Sequence, residues 1–452
     1  MKPLSIEEVS KAVGGVINNP EIEKKLIFGV SFDTREAMEG KIFVPLKGEK
    51  VDGHKFLEDA MQRGAVCVFS ESETPLDAII VKDAAQALKD LAEYYRGLFN
   101  VKVIGITGSN GKTSTKDMVA AVLAEKYNVV KTVGNFNNEI GLPITIFNID
   151  DDTDVAVLEM GMNHRGEISR LSKIGRPHYA IITNIGVAHI ENLGSQEGIF
   201  AAKSEILDHL AEDGKIFLCG DDNFLIRHKD KENSVFYGFG AHNSYRARDV
   251  EEAGLDSSDY TVQLRNGEDA NIHVPSPGKH MVMNSLVAVA IGDEMGLNGT
   301  QIATGIKNFE SSGSRMSIIE TKDGTRVIDD CYNASPDSVK AALDVLTRAK
   351  GNTIAILGDM FELGDASRDM HFDVGTYAAR LNINTIICVG QHSKAMHEGA
   401  CSVASDSQIL YFASKDDCLD NLTPLVKPGD TILVKASRGM RFENIVKFLT
   451  KD

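Results

Sequence analysis

VKVIGITGSNGKTSTK, residues 101–116, carries the sharpest change of pattern in the chain. Its β-branched run, Val101, Val103, Ile104 and Ile106, breaks off into a loop of small residues, and a helix-forming segment runs from Thr113 to Ala124. In that strand–loop–helix order a glycine-rich loop exposes backbone N–H groups at a helix N-terminus, where an anion is stabilised. The cradle so defined is Gly108, Ser109, Asn110, Gly111, Lys112, Thr113 and Ser114. Gly108 and Gly111 let a polyphosphate approach the backbone, Lys112 reaches its β and γ oxygens, and Thr113 offers a hydroxyl to Mg²⁺. The usual spacing asks for a glycine where Ile106 stands, and Gly105 lies one residue too far back. A tight turn before a buried helix is the plainer alternative. Gly-Lys-Thr directly after a strand favours a nucleoside triphosphate site.

The rest of the composition bounds the setting. A chain of 452 residues suggests two to four domains, and 42% hydrophobic with 25% charged residues is the balance of an ordinary globular protein. The formal net charge of −17 argues against non-specific nucleic-acid binding, so an anionic substrate needs a local basic pocket. The opening MKPLSIEEVSKAVGG has no apolar signal core, and no apolar run approaches the length of a membrane span. Cys67, Cys219, Cys331, Cys388, Cys401 and Cys418 show no CxxC spacing and sit mostly in apolar runs. They are expected as reduced core residues of a cytoplasmic protein.

Taken in order, residues 1–97 read as a small α/β unit. SIEEVSKAVGG is a capped helix ended by glycine, strands are expected at Lys41–Leu46 and Ala65–Ser70, and a helix near His54–Arg63. Ser31, Thr34, Arg35, Lys47, Gly48 and His54 fall near the strand ends, where they could hold a diphosphate or uracil or simply form a solvated loop set. Residues 98–313 alternate strands at 128–132, 155–160, 179–185 and 215–219 with helices at 113–125, 167–174 and 197–211. That alternation predicts a mostly parallel sheet covered on both faces, with ligands collecting at strand C-termini. Glu159, His189 and the amides Asn135, Asn137 and Asn138 fall in those places, and Glu159 and His189 are within reach of a metal held by Thr113. A carboxylate is a natural Mg²⁺ ligand and histidine a less usual one. Lys203 lies on an amphipathic helix whose periodicity makes it a solvated lysine. Asn284, in PSPGKHMVMNSL, could read an adenine edge or cap a helix. Gly/Ser-rich residues 309–317 suit a hinge containing Arg315. Residues 314–452 repeat the alternation: RVIDDCYNASPDSVKAALDVL gives a strand, a polar turn and a helix from Pro336, and four more strands follow. The last ends in Lys435-Ala-Ser437-Arg438-Gly-Met-Arg441, either a carboxylate site or a capped turn with exposed arginines.

Taken together, TGSNGKT (107–113), GNFNNEIGLP (134–143), EMG (159–161), NIGVAHIENLGS (184–195), AKSEI (202–206) and DDCYNASP (329–336) resemble the Mur ligase family, ATP-dependent amide ligases of peptidoglycan precursor synthesis. The resemblance spans essentially the whole chain. It implies an α/β fold of three domains: an N-terminal uridine-nucleotide domain, a central parallel-sheet ATPase domain of phosphate-loop type, and a C-terminal Rossmann-like domain. SFDTREAMEGKIFVPLKGEKVDGHKF resembles the nucleotide domain of the last two ligases of the pathway. ILGDMFELG (356–364) and KASRGMRFE (435–443) resemble the final one, which joins D-alanyl-D-alanine to UDP-N-acetylmuramoyl-tripeptide. Ser335 stands where the family usually has a second Asn.

By that resemblance Lys112 and the loop amides hold ATP, Thr113 and Glu159 the first of two Mg²⁺ ions, and His189 with a carbamoylated Lys203 the second. Asn284 meets adenine, Asp330 the ribose with Tyr332 and Asn333 nearby, and Arg315 the terminal phosphates. Ser31, Thr34, Arg35, Lys47, Gly48, Asn135, Asn137, Asn138, Ser437 and Arg438 face the two other substrates. A cytoplasmic monomer with no nucleic-acid or membrane partner is implied. The rival readings are the preceding ligase, which adds the third amino acid, the folylpolyglutamate synthase branch, and a binding protein that closes on ATP without ligation.

Overall fold

The structure, a computed structural model, describes residues 1–48, 51–311 and 313–451; Glu49 and Lys50 of the N-terminal motif and Ser312 of the hinge lie outside them. Three sheets follow one another along the chain. The first orders its strands Val16–Ile17, Ala78–Ile80, Cys67–Ser70, Lys41–Phe43 and Gly29–Ser31, parallel except at the first pair. The second has seven parallel strands, in the order Tyr245–Arg246, Ser234–Gly238, Lys215–Cys219, Tyr179–Ile182, Lys102–Thr107, Val155–Glu159 and Val129–Lys131. The third runs Ser317–Glu320, Arg326–Asp329, Thr431–Lys435, Thr353–Gly358, Thr385–Val389 and Gln408–Phe412, with only the first pair antiparallel.

The central sheet places the site. Lys102–Thr107 lies between Val155–Glu159 and Tyr179–Ile182, with Glu159 paired to Ile106 and Ile182 to Thr107. Three strand C-termini therefore open side by side, the arrangement in which doubly wound sheets collect ligands. These strands are apolar at nearly every position because helices cover both faces.

Several expected elements are shorter than their patterns. The strand from Lys41 ends at Phe43, that from Tyr179 at Ile182, and the helix expected over 197–211 is Gln196–Ser204 with a 3₁₀ turn at Glu205–Leu207. One feature has no counterpart in the expectation: an antiparallel sheet of Arg248–Ala253, Ser257–Gln263 and Asp269–Val274. It packs on the helices Lys279–Glu294 and Gly299–Lys307. Its alternating burial, with Ala270, Ile272 and Val274 turned inward, is the mark of a sheet solvated on one face.

Core continuity differs between the units. One apolar cluster runs from Leu4 and Ile6 through Leu88 and Leu91 into Val103, Ile106 and Val157, joining the first sheet to the second. Polar contacts reinforce that joint: Tyr95 Oη donates to the Ile149 carbonyl at 2.7 Å, and Arg176 pairs with Glu93 at 2.8 Å. The C-terminal unit instead has its own clusters on either side of its sheet. Leu255, at the tip of the antiparallel hairpin, is the residue of the central unit buried in one of them. Of the cysteines, five are buried as expected; Cys401 is exposed, because it ends the surface helix Ser393–Cys401.

Candidate active site

The turn after Thr107 depends on glycine. Gly108 has φ +150°, and a Cβ there would stand 1.8 Å from Thr183 Oγ1. Gly111 has φ +79°, and its Cβ would meet Asn284 Oδ1 at 2.6 Å. A side chain at Gly108 would collide with Thr183 and one at Gly111 with the Asn284 amide, and each would hold a backbone conformation that favours glycine. Neighbouring groups hold the loop open. Ser109 N donates to the Asn184 carbonyl at 3.0 Å, Asn110 N to Asn184 Oδ1 at 2.9 Å, and Thr183 Oγ1 to the Asn110 carbonyl at 2.6 Å. Helix Lys112–Ala124 starts from Gly111 with no side-chain cap. Among the described residues the N–H groups of Lys112, Thr113 and Ser114 have no protein acceptor, so the helix dipole and three donors face the cavity. Lys112 Nζ folds back to the Gly108 carbonyl at 2.6 Å. Burial pushes its ammonium down, and Arg315 adds to that, while Glu159 and Glu362 pull the other way.

The cavity, about 660 Å³, lies between the central and C-terminal units. Ser109, Asn110, Gly111, Lys112, Thr113, Ser114, Asn137, Asn138, Glu159, His189, Asn284, Arg315, Asp330, Tyr332 and Asn333 all line it. Asn137 Nδ2 donates to Glu159 Oε1 at 2.7 Å, leaving Glu159 Oε2 buried without a partner among the described residues. An orphaned carboxylate oxygen beside a threonine hydroxyl and a lysine fits a hard divalent cation, which would satisfy it. Asn138 Oδ1 accepts from Gly141 N, the first residue of the next helix, at 2.8 Å. His189 sits at φ +64°, a left-handed conformation that a residue with a Cβ holds only under constraint, and its Nδ1 lies 2.6 Å from Glu362 Oε2.

Two readings from periodicity are corrected. Lys203 is 1% exposed, not solvated, because Gln196–Ser204 packs that face inward. Burial and the charge of Lys112 hold its ammonium well below the usual lysine range, and among the described residues no carboxylate pairs with it. Asn284 caps nothing: it lies inside helix Lys279–Glu294, which begins at Gly278, and accepts from Thr115 Oγ1 at 3.3 Å.

From the C-terminal unit, Lys435 Nζ holds Asp330 Oδ2 at 2.5 Å and the Asn333 carbonyl at 3.1 Å. The Arg315 guanidinium stacks 3.8 Å from the Tyr332 ring centre, and that of Arg438 lies 4.7 Å from it. Ser335 Oγ donates to Asn110 Oδ1 at 2.9 Å, a direct bond from the third unit to the phosphate loop. Lys435, expected only as part of a carboxylate turn, also lines the cavity, as do Glu362 and His280, which were not singled out; only the tertiary fold brings their distant segments here.

The remaining expected residues stand apart from this cavity. Gly108 and Lys203 are not among its lining residues, Asn135 is exposed outside it, and Ser437 and Arg438 follow the strand whose last residue, Lys435, lines it. Ser31 ends the strand Gly29–Ser31 of the N-terminal sheet, and Thr34, Arg35, Lys47 and Gly48 lie in its loops; Ser31 Oγ donates to Glu36 at 3.0 Å and Arg35 pairs with Asp33 at 2.6 Å.

Residues 26–104 match the Mur ligase family catalytic domain, 106–292 the Mur ligase middle domain, and 314–438 the Mur ligase glutamate ligase domain. The chain belongs to the Mur ligase family. It is 39% identical to the UDP-N-acetylmuramoyl-tripeptide–D-alanyl-D-alanine ligase of Bacillus subtilis, over 99% of this chain and 98% of that one. A crystal structure of MurF from Acinetobacter baumannii superposes with a TM-score of 0.93 at 31% identity, covering 100% of both chains. MurF ligase from Thermotoga maritima, solved in complex with ADP, superposes with 0.82 at 28% identity over 93% of this chain and 96% of that one. The three-domain Mur ligase fold is thus the fold of this chain. No helix among the described residues is long and apolar enough to cross a membrane.

Proposed function

We propose that this Mur ligase joins D-alanyl-D-alanine to UDP-N-acetylmuramoyl-tripeptide at the expense of ATP, the last cytoplasmic step in building the peptidoglycan UDP-precursor. The carrying observation is a phosphate cradle with unsatisfied N–H donors, closed by Asn110–Ser335 and His189–Glu362 contacts from the third unit. Full-length similarity to the Bacillus subtilis enzyme supports the choice of substrates.

In this reading residues 1–97 carry the uridine nucleotide through Ser31, Thr34, Arg35, Lys47 and Gly48. Residues 98–313 carry ATP, and residues 314–452 the incoming dipeptide. The tripeptide carboxylate attacks the γ-phosphorus; a P–O bond forms, the β–γ bridge breaks, and ADP leaves. The dipeptide amine then attacks the acyl carbon. A C–N bond forms, the amine loses a proton, the C–O bond to phosphorus breaks, and phosphate leaves. Lys112, Arg315 and the helix N-terminus face the charge that develops on the phosphoryl oxygens. Asn284 and Asp330 meet adenine and ribose. Thr113, Glu159, His189 and Lys203 would hold two Mg²⁺ ions, which supply charge neutralisation when bound. Burial and the charge of Lys112 disfavour the Lys203 ammonium, and a neutral amine there would add CO₂ through a new N–C bond and give up one N–H proton to become an anionic carbamate. Closure of the third unit excludes the water that would hydrolyse the acyl phosphate.

The test is phosphate release from ATP and Mg²⁺ with UDP-N-acetylmuramoyl-tripeptide, with and without D-alanyl-D-alanine. Dipeptide-dependent release with a UDP-pentapeptide product by mass is expected. Turnover only with the UDP-dipeptide and a free diamino acid would overturn the choice of member.

A further inference from the structure

We propose that Glu362 and the Ser437–Arg438 turn form a receptor for a zwitterionic nucleophile, Glu362 taking its ammonium and Arg438 its carboxylate. This rests on the ligase reading above and adds to it the group that selects the second substrate's charged amine.

The loop that carries Glu362 is built to present it. Glu362 has φ +64°, a conformation unfavourable for any residue with a Cβ, so its surroundings must impose it. They do so on both sides. His371 Nε2 accepts from Met360 N at 2.9 Å while its Nδ1 donates to the Ser367 carbonyl at 2.7 Å, which fixes the tautomer. Ser437 Oγ accepts from Phe361 N at 2.9 Å, and Ser437 N donates to the Asp359 carbonyl at 3.0 Å. The last two bonds fasten the Glu362 loop directly to the turn carrying Arg438. The backbones that carry one carboxylate and one guanidinium are thereby tied together.

The charges themselves are available. Glu362 lines the cavity with its side chain 48% exposed, and Oε2 meets His189 while Oε1 has no hydrogen-bond partner among the described residues. Arg438 is exposed, stacks over Tyr332, and pairs with no carboxylate among the described residues. Lys435, by contrast, is committed to Asp330. Glu362 and Lys112 line the same cavity, so an ammonium bound at Glu362 shares that space with the phosphate loop. A free dipeptide carries one ammonium and one carboxylate, and the two loops offer one site of each opposite sign.

The experiment compares wild type, Glu362→Gln and Glu362→Asp with two nucleophiles: D-alanyl-D-alanine, and hydroxylamine, which is uncharged at neutral pH and traps an acyl phosphate as a hydroxamate. In Glu362→Gln the dipeptide KM is expected to rise about 10- to 100-fold, the loss of one charged hydrogen bond. The ratio of dipeptide to hydroxylamine turnover falls with it, and Glu362→Asp recovers part of that ratio. A parallel fall with both nucleophiles would overturn the proposal, because it would make Glu362 a closure contact to His189 only. An unchanged dipeptide KM would overturn it as well. If wild type ligates nothing while forming hydroxamate, the ligase reading itself fails, and the receptor with it.

Discussion

Leu255 offers a direct measure of how the third unit is held. It sits at the tip of a hairpin of the central unit, 2% exposed, among Met316, Ile328, Leu343 and other apolar residues of the C-terminal cluster. Two ion pairs flank it, Arg326–Asp256 at 2.5 Å and Arg348–Glu252. Truncation to alanine removes three carbons from an apolar contact, about 2.5 kcal/mol at ~0.8 kcal/mol per carbon. If an open state exposes this tip, the whole loss falls on the closed state and shifts the equilibrium roughly 50- to 100-fold toward opening. The Arg326–Asp256 pair is largely solvated, so Arg326→Gln should cost less than ~1 kcal/mol. Solution scattering with ATP and UDP-tripeptide would read the closure as a radius of gyration, beside kcat from phosphate release. Leu255→Ala should expand the particle and lower kcat, and Arg326→Gln should do little of either. A Leu255→Ala protein that scatters and turns over like wild type would refute the reasoning, since the contact would then exist in both states.

Three other outcomes follow from the site. Gly108→Ala forces a methyl into Thr183 Oγ1 at 1.8 Å, so the loop must move by more than an ångström; kcat/KM for ATP should fall about 100-fold or more. Adding Thr183→Ala should recover part of that loss, and no recovery would mean the clash is not the cause. Lys203→Met should abolish ligation while raising the thermal midpoint, because it replaces a buried, unpaired amine with an apolar chain of similar length; retained turnover would remove Lys203 from the chemistry. His280, pushed down to about 4 by burial, stays neutral in the fold below its ordinary value of 6.5. The unfolded chain then binds the extra proton first, so stability is lost as pH falls from 6.5 to 4, by up to about 3 kcal/mol. His280→Gln should flatten the denaturation midpoint across that window, and an equal slope in both proteins would contradict the assignment.

The local part of this protein was determined by its sequence. A β-branched run broken by Gly108 and Gly111 can end only in a turn with open N–H groups. The same alternation of apolar strands and capped helices, repeated to the C-terminus, implies parallel sheets whose strand ends collect polar residues. Those are short-range consequences of backbone sterics and hydrogen bonding, and they located the phosphate loop, Glu159 and His189. Periodicity failed where burial was decided by remote partners. Lys203 repeats at a solvated spacing, yet the sheet beneath its helix and Lys112 across from it make the environment apolar and repulsive. Asn284 looked like a cap because its loop is rich in Pro and Gly, although Gly278 starts the helix six residues earlier. The antiparallel hairpin went unseen because its strands are polar on their outer face, and Leu255 gains its role only from a domain distant in sequence. Glu362 is the clearest case: a glutamate in a loop says nothing until packing sets its φ, ties its loop to Ser437 and brings His189 within 2.6 Å. Such long-range placement is decided by tertiary structure, because the free energy that imposes it comes from contacts that no local window contains.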